Sequence, residues 1–128
     1  MEPNAASVAL IDGDKVLLIQ RAFEPYRGLW TLPGGRHEPD ETIDDTAIRE
    51  IWEELAIDVF NPKPVMAMRL STGFLLQVFA TRDFSGELHP SPEIADWRWL
   101  RPDEIAGLAT TPDLDDVLAR AFALFSGS

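Results

Sequence analysis

The stretch from residue 34 to residue 57 constrains the fold of this chain more than any other. It opens with two adjacent glycines, Gly34 and Gly35, which allow a sharp turn and let the backbone come close to a ligand. A helical pattern follows and carries three glutamates at positions i, i+3 and i+4, namely Glu50, Glu53 and Glu54. Side chains at these spacings project from one face of a helix. The stretch therefore predicts a glycine turn that leads into a helix with an acidic face.

Helix stability alone does not account for this acidic face. Like charges at such spacings repel each other by about 0.2–0.5 kcal/mol per pair in an isolated helix. The three glutamates also lie in the last turns, where the helix dipole disfavours anions. Carboxylate oxygens in a tight group are ligands that Mg²⁺ or Mn²⁺ prefers. The pattern indicates a divalent metal site, and the alternative is a solvated acidic surface.

The spacing of the whole stretch resembles the signature of the Nudix hydrolases, which runs Gly, five residues, Glu, seven residues, Arg-Glu-aliphatic-x-Glu-Glu-x-Gly-aliphatic. The matching residues are Gly35, Glu41, Arg49, Glu50, Ile51, Glu53, Glu54 and Ile57. Ala56 and Asp40 stand where the family has, or usually has, glycine. Because helices often end on a left-handed glycine, Ala56 is expected to cost about 1 kcal/mol of stability. Neither change removes a ligand.

The resemblance implies an α/β Nudix fold, with a mixed β-sheet sandwiched between α-helices, as a single domain over residues 1–128 with its motif at 35–57. It implies a hydrolase that uses Mg²⁺ or Mn²⁺ to direct water at a diphosphate linkage in a nucleoside diphosphate joined to another group. The substrate stays open among nucleoside triphosphates, oxidised dNTPs, ADP-ribose and sugar nucleotides. A non-catalytic, nucleotide-binding regulatory Nudix domain is the alternative, although such domains typically lose the helix glutamates. A calcium-binding module is disfavoured, because the acidic residues lie along a helix rather than in a loop.

The resemblance also implies roles for individual residues. The candidate metal ligands are Gly34, Gly35, Glu41, Glu50, Glu53 and Glu54. The candidate catalytic residues are Glu50, Glu53, Glu54, Arg49 and Glu93. Glu50 or Glu93 is expected to act as the base, with Glu87 a weaker rival to Glu93. Arg49 is expected to orient a carboxylate of the helix.

Four residues are candidates for contact with substrate: Arg21, Arg36, Arg69 and Phe74. Arg21 ends an apolar strand and either clamps a phosphate or is a surface charge. Phe74 either contacts a nucleotide or belongs to the core. His37 and His89 are expected to lie in exposed loops, without the spacing of metal ligands.

Hydrophobic periodicity predicts the remaining elements. Strands are expected over 6–11, Lys15–Arg21, 63–70, 74–81 and 95–100, with a hairpin turn at Asp12-Gly13-Asp14. The motif helix is expected to have Thr42 as N-cap, with Asp45 three residues on as a variant capping box. It is expected to bury Ile48, Ile51, Trp52 and Leu55. A short helix or turn is expected over 102–107, and a last helix with Thr111 as N-cap and Pro112 at its first position. Trp97 and Trp99 are expected to be core residues, and the alternative is a platform on which a base stacks.

Charge and composition narrow the class of partner. A formal net charge of −11 argues against nucleic acid as a partner, since such binding relies on clustered Lys and Arg. The chain has no cysteine, which excludes disulfides and thiolate metal sites. It has neither a signal-peptide pattern nor an apolar run near the ~20 residues of a membrane span. We expect a cytoplasmic monomer or homodimer that acts on a small-molecule nucleotide, without nucleic-acid or membrane partners.

Overall fold

The computed structural model describes residues 2–126 and places a mixed β-sheet between two helices. The strands are β1 (Ala5–Asp12), β2 (Lys15–Arg21), β3 (Trp30–Thr31), β4 (Gly34–Arg36), β5 (Asp58–Val59), β6 (Lys63–Arg69), β7 (Leu75–Thr81), β8 (Phe84–Ser85) and β9 (Ile94–Leu100). The helices are α1 (Ile43–Leu55), α2 (Pro102–Ile105) and α3 (Leu114–Ala123). The predicted strands and the short helix after residue 101 are confirmed within one residue at most boundaries.

The sheet combines parallel and antiparallel pairs. Its order is β3-β2-β1-β7-β6, with β4 paired to β1 and β9 paired to β2. The predicted hairpin is confirmed, because Asp12 pairs with Lys15 and Gly13 has the positive φ of 64° that the turn requires. β1 and β7 are parallel, and such a pair needs a long crossover connection, which here contains α1.

Alternation along β1 divides the core into two layers. Ala6, Val8 and Leu10 pack on the side of α1, in one cluster with Ile51 and Leu55. Ala9 and Ile11 point to the opposite face, in a cluster with residues of α3. The structure therefore confirms the expected sandwich of a sheet between helices.

The buried face of α1 differs from the prediction. Ile51 and Leu55 are fully buried as expected, but Ile48 is 36% exposed and Trp52 is 53% exposed. Thr46, Ala47 and Glu54 are buried in their place. Residues 47 and 51 are offset from residues 48 and 52 by one helical step of about 100°. The prediction was wrong because it assigned only apolar side chains to the buried face and placed every carboxylate opposite it, facing a cleft, whereas Glu54 is buried.

The start of α3 was also predicted wrongly. The helix begins at Leu114, with Asp113 as its N-cap in the left-handed conformation, rather than at Pro112. Thr111 is not the cap, and its hydroxyl instead donates to Thr31 Oγ1 at 2.9 Å. The predicted apolar stripe is correct, since Leu114, Val117, Leu118 and Ala121 are buried.

The two tryptophans of β9 do not both belong to the core. Trp97 is 38% exposed, which contradicts the prediction. Trp99 is half-buried and stacks on Phe84 with ring centroids 5.8 Å apart. Among residues 2–126, no helix has the length and apolar character needed to cross a membrane.

Candidate active site

The glycine pair brings β4 against both β1 and α1. Gly34 pairs with Ser7 and Gly35 with Ala6. A Cβ atom on residue 34 would lie 2.1 Å from the Ala6 carbonyl oxygen, and one on residue 35 would lie 2.0 Å from Glu50 Oε2. Glycine is therefore required at position 34, where the backbone of Ala6 leaves no room, and glycine at position 35 lets the Glu50 carboxylate lie directly against the β4 backbone.

The two ends of α1 fix the register of its glutamates. Thr42 Oγ1 accepts a hydrogen bond from the Asp45 amide at 3.1 Å, and Asp45 Oδ2 accepts one from the Thr42 amide at 3.4 Å, which confirms the predicted capping box. Ala56 ends the helix in the left-handed conformation at φ 58°, and its amide donates to the Trp52 carbonyl. This confirms the conformation expected where the family has glycine.

Glu54 is a buried carboxyl beside two other carboxylates. Glu54 is 6% exposed, and burial of its side chain is the main reason that its pKa rises to about 8. The charges of Glu50 and Glu93 raise it further, while a hydrogen bond from the Gly34 backbone and the charge of Arg21 lower it in part. Glu54 thus lies in a place where positive charge would stabilise its ionised form.

Glu50 shares this environment but has a cationic partner. Burial raises its pKa, and the hydrogen bond and charge of Arg49 oppose that effect. Glu53 and Glu93 add repulsion. Two carboxylates one helical turn apart therefore face the same region, and only one of them is bonded to an arginine.

Arg49 links the acidic side chains of the motif. Its guanidinium donates to both oxygens of Glu41, at 3.0 and 2.7 Å, to Glu50 Oε1 at 2.7 Å and to Glu53 Oε2 at 3.2 Å. It also donates to the Arg36 carbonyl oxygen at 2.8 Å. These contacts are those expected of a residue that orients the carboxylates of the helix.

Glu41 is held by more than Arg49, and sequence reasoning missed the other partners. Thr46 Oγ1 donates to Glu41 Oε1 at 2.8 Å, and the Glu38 amide donates to the same oxygen at 2.9 Å. His37 Nδ1 lies 2.7 Å from Thr46 Oγ1, so this histidine is half-buried rather than exposed as predicted. In the sequence, only the helical register of Thr46 relative to Glu41 indicates this contact.

A cavity of about 900 Å³ collects most of the predicted site residues. Those that line it are Gly34, Gly35, Glu50, Glu54, Glu93, Arg21, Arg36, Arg69 and Phe74. Glu41, Arg49 and Glu53 lie beside it on the network described above. The weaker rival, Glu87, is exposed and lies 4.0 Å from His89.

Backbone carbonyls and an aromatic ring position the arginines at this cavity. Arg21 Nε donates to the Pro25 carbonyl at 2.6 Å, and Arg69 Nη1 donates to the Gly73 carbonyl at 3.1 Å. The Arg36 guanidinium lies 4.9 Å from the centroid of the Phe74 ring. The cavity therefore has carboxylates and guanidinium groups on its walls, the pairing that a metal-bound phosphate ligand needs.

Two cavity residues that the sequence analysis did not single out join the loops at its mouth. The Tyr26 hydroxyl is hydrogen-bonded to Ser71 Oγ, and both residues line the cavity. The bond links the loop after β2 to the turn between β6 and β7. Their separation in sequence left no local signal for this contact.

The carboxylate oxygens at the cavity are the kind of ligand that a hard divalent cation binds. Glu50, Glu54 and Glu93 face one cavity, and the charge of Glu93 raises the pKa of both Glu50 and Glu54, so a cation among them would relieve both repulsion and the cost of burial. Within residues 2–126, no group of three or more acidic or histidine side chains is already spaced as a metal site. A cation bound between these carboxylates would require them to draw together.

Comparison with known proteins identifies the family of the chain. The family model of the NUDIX domain matches residues 1–122. The uncharacterized Nudix hydrolase YvcI of Bacillus subtilis is 32% identical over 107 residues, which cover 77% of this chain and 66% of that protein. The CTP pyrophosphohydrolase of Escherichia coli is 34% identical over 119 residues, covering 89% of this chain and 87% of that one.

A solved structure shows the same fold. The crystal structure of a MutT NUDIX hydrolase from Burkholderia pseudomallei matches with a TM-score of 0.84 and 24% identity, covering 94% of this chain and 98% of that one. The chain spans about two thirds of the length of YvcI and of a MutT-like protein from Streptomyces ambofaciens, 66% in each case. The extent of the family match and these relatives show that the chain belongs to the Nudix family.

Proposed function

We propose that this chain is a metal-dependent pyrophosphohydrolase that cleaves a diphosphate linkage in a nucleoside diphosphate joined to another group. The observation that carries the proposal is the cavity whose walls bear Glu50, Glu54 and Glu93 together with Arg21, Arg36 and Arg69. A diphosphate needs cationic contacts for its oxygens, and water needs a base to become a nucleophile. The arginine side chains and the carboxylates both face this cavity.

The carboxylates divide into ligands and a base. Glu50, Glu54 and the backbone oxygens of Gly34 and Gly35 would hold Mg²⁺ or Mn²⁺, with Glu41 and Glu53 as further ligands. Bound there, the cation supplies neutralisation of phosphoryl charge and lowers the pKa of water. These oxygen atoms form the proposed metal site.

We assign the proton-accepting role to Glu93 rather than Glu50. Glu50 Oε1 already accepts a hydrogen bond from Arg49 at 2.7 Å, so this oxygen is engaged by a cation rather than free to take a proton from water. Glu93 extends from the loop before β9 and lines the cavity beside Glu50 and Glu54. A carboxylate on a loop can also adjust to the position of the water more easily than one on a helix.

The arginines hold the rest of the substrate. Arg21, Arg36 and Arg69 present guanidinium groups, which bind phosphate oxygens through paired hydrogen bonds. The Arg36 guanidinium lies over the ring of Phe74, which supports it. In this arrangement the arginines orient the phosphates while the carboxylates of α1 face the bond that breaks.

Nucleoside triphosphates are the substrate class we place first. The Escherichia coli relative that matches along most of both chains is named a CTP pyrophosphohydrolase. Cleavage between the α- and β-phosphates would release a nucleoside monophosphate and pyrophosphate. Oxidised dNTPs, ADP-ribose and sugar nucleotides share the same linkage and belong in the test.

The test is a substrate screen of the purified chain with Mg²⁺ or Mn²⁺. Normal and oxidised dNTPs, NTPs, ADP-ribose and sugar nucleotides are offered to the wild type, to Glu54→Gln and to Glu87→Gln. We expect turnover of one class, lost in Glu54→Gln and kept in Glu87→Gln, whose side chain is exposed away from the cavity. Nucleotide binding without turnover by the wild type would instead support the regulatory alternative.

A further inference from the structure

Thr46 carries a hydroxyl that is fully buried on α1. The residue is 0% exposed, and its neighbour Ala47 is buried to the same extent. Threonine stabilises a helix less than alanine does, because its branched side chain loses rotamer freedom there. Alanine at position 46 would serve helix formation, so the presence of a hydroxyl has to be explained by what it contacts.

These contacts fix the direction of the Thr46 hydroxyl hydrogen. Oγ1 lies 2.8 Å from Glu41 Oε1 and 2.7 Å from His37 Nδ1. Glu41 is ionised, because hydrogen bonds from Arg49 hold its pKa at about 2, and an ionised carboxylate can only accept hydrogen bonds. The Thr42 carbonyl, at 3.2 Å, is a more distant and uncharged acceptor. The hydrogen between Thr46 and Glu41 therefore comes from Thr46.

His37 then supplies the hydrogen of its own bond to Thr46. A threonine hydroxyl has one hydrogen, and Glu41 accepts it, so Thr46 Oγ1 is the acceptor for His37 Nδ1. This bond requires a hydrogen on Nδ1 of the half-buried ring. His37 Nδ1 is 3.9 Å from Glu41 Oε1, too far for a direct hydrogen bond. The hydrogen bonds therefore run in one direction, from His37 through Thr46 to Glu41.

Thr46 joins a carboxylate outside the helix to the helix itself. Glu41 precedes the N-cap of α1. Its Oε1 accepts from three donors at 2.9, 2.8 and 2.7 Å, which are the Glu38 amide, Thr46 Oγ1 and Arg49 Nη2. Thr46 and Arg49 lie three residues apart on α1 and share one of its faces. Thr46 thus fastens Glu41 to the face from which Arg49 reaches it.

We propose that Thr46 is a positioning residue for the metal-binding carboxylates and acts through Glu41 and Arg49 on Glu50. This rests on the proposed function, which assigns Glu50 to the metal site. Arg49 binds Glu41 through Nε and Nη2, while its Nη1 donates to Glu50 Oε1 at 2.7 Å. A Glu41 carboxylate that turned away would take the guanidinium with it. Thr46 itself does not line the cavity, so its effect on Glu50 passes through these two side chains.

The test compares the wild type with Thr46→Val, which keeps the shape but removes the hydroxyl, and with Thr46→Ser, which keeps the hydroxyl. Thr81→Val is the matched control, because Thr81 is also buried and donates to the Phe60 carbonyl at 2.7 Å, away from the cavity. The measurements are kcat and KM at saturating Mg²⁺, Mn²⁺ affinity by calorimetry, and Tm. NMR of the His37 ring nitrogens in metal-free protein completes the set.

We expect Thr46→Val to lower kcat about 3- to 10-fold with little change of KM, and to weaken Mn²⁺ binding by a similar factor. Both losses should be smaller than those caused by removal of Arg49, because the Glu38 amide and Arg49 still hold Glu41. Thr46→Ser should restore both quantities, and Thr81→Val should lower Tm alone. In an Arg49→Gln background, Thr46→Val should change kcat less than about twofold, because the link to Glu50 is already broken.

The hydrogen-bond direction has a readout that needs neither metal nor substrate. At a pH where the ring is neutral, the nitrogen shifts of His37 should place its hydrogen on Nδ1 in the wild type and in Thr46→Ser. Thr46→Val offers no acceptor at this point and should lose that preference.

The proposal is overturned if Thr46→Val keeps the kcat and Mn²⁺ affinity of the wild type, or if Thr46→Ser does not restore them. Losses of kcat that multiply in full between Thr46→Val and Arg49→Gln would also overturn it, because Thr46 would then act independently of Arg49. So would a wild-type His37 ring with its hydrogen on Nε2 alone. If the wild type hydrolyses no nucleotide, yet Mn²⁺ affinity and the His37 tautomer respond to Thr46→Val as expected, the proposed hydrolysis alone is overturned.

Discussion

Arg49 Nη1 donates to Glu50 Oε1 at 2.7 Å, although the two residues are adjacent on α1. Neighbouring side chains on a helix point about 100° apart, so the contact requires both to bend toward one another. The other guanidinium nitrogens are bonded to Glu41, which fixes the direction of this bend. Arg49 therefore sets where the Glu50 carboxylate lies at the cavity.

Removing this guanidinium should affect both activity and stability. We expect Arg49→Gln to lower kcat about 10- to 100-fold, as is typical when a residue that orients metal ligands is lost. Glu41 and Glu50 would also lose their cationic partner, so Tm should fall. Arg120→Gln is the control, because Arg120 pairs with Asp116 on the exposed side of α3. Hydrolysis kinetics and thermal unfolding measure the two effects. Equal activity of both variants would contradict the orienting role.

Because Glu41 is paired with Arg49, the free energy of unfolding should depend on pH through the Glu41 carboxyl. Hydrogen bonds from Arg49 hold the pKa of Glu41 at about 2 in the folded chain, below the ordinary 4.5. The unfolded chain therefore takes up this proton first as pH falls. The stabilisation is present above about pH 4.5 and is lost as pH falls toward 2. Urea unfolding of the wild type and Glu41→Gln from pH 7 to pH 2 should show a difference that shrinks across this window. A difference that does not change with pH would refute the assignment.

Glu54 should show the opposite dependence in metal-free protein. Its pKa is raised from 4.5 to about 8, mainly by burial. The folded chain therefore holds this proton more tightly, and stability is highest below pH 4.5 and falls as pH rises toward 8. In EDTA, Glu54→Gln should melt at a higher temperature than the wild type at pH 8 and at a similar one near pH 4.5. Mg²⁺ should then stabilise the wild type and not the variant. A variant that melts lower than the wild type at pH 8 without metal would contradict this account.

The sequence predicted the parts of the site that depend on local chemistry. The glycine pair, the Thr42–Asp45 capping box and the left-handed Ala56 each follow from steric or hydrogen-bonding rules over a few residues. They place the glutamates on one helix with a known spacing. The hairpin at Gly13 followed from the same kind of rule.

Features that depend on tertiary contacts could not be predicted in this way. Residues 48, 51, 52 and 55 form an apolar stripe along α1. Residues 47, 51, 54 and 55 follow the same helical period, and this second set is the one that is buried. Only the sheet decides between them, and it buries Glu54 and exposes Trp52.

The stacked pair Arg36 and Phe74 should influence substrate affinity rather than the chemical step. The guanidinium lies 4.9 Å from the ring centroid, at the edge of the cavity. Phe74→Leu keeps an apolar side chain but removes the ring, which contributes about 0.5–1 kcal/mol at an exposed site. We expect KM to rise about 2- to 5-fold while kcat changes little, because in the proposed arrangement Arg36 binds a phosphate of the substrate and does not contact the water or its base. Phe125→Leu is the matched control, because the Phe125 ring holds Lys63 and Arg82 in the same kind of contact away from this cavity. A similar rise of KM in both variants would mean that the effect comes from stability. A fall of kcat in Phe74→Leu alone would mean that Arg36 takes part in the chemical step.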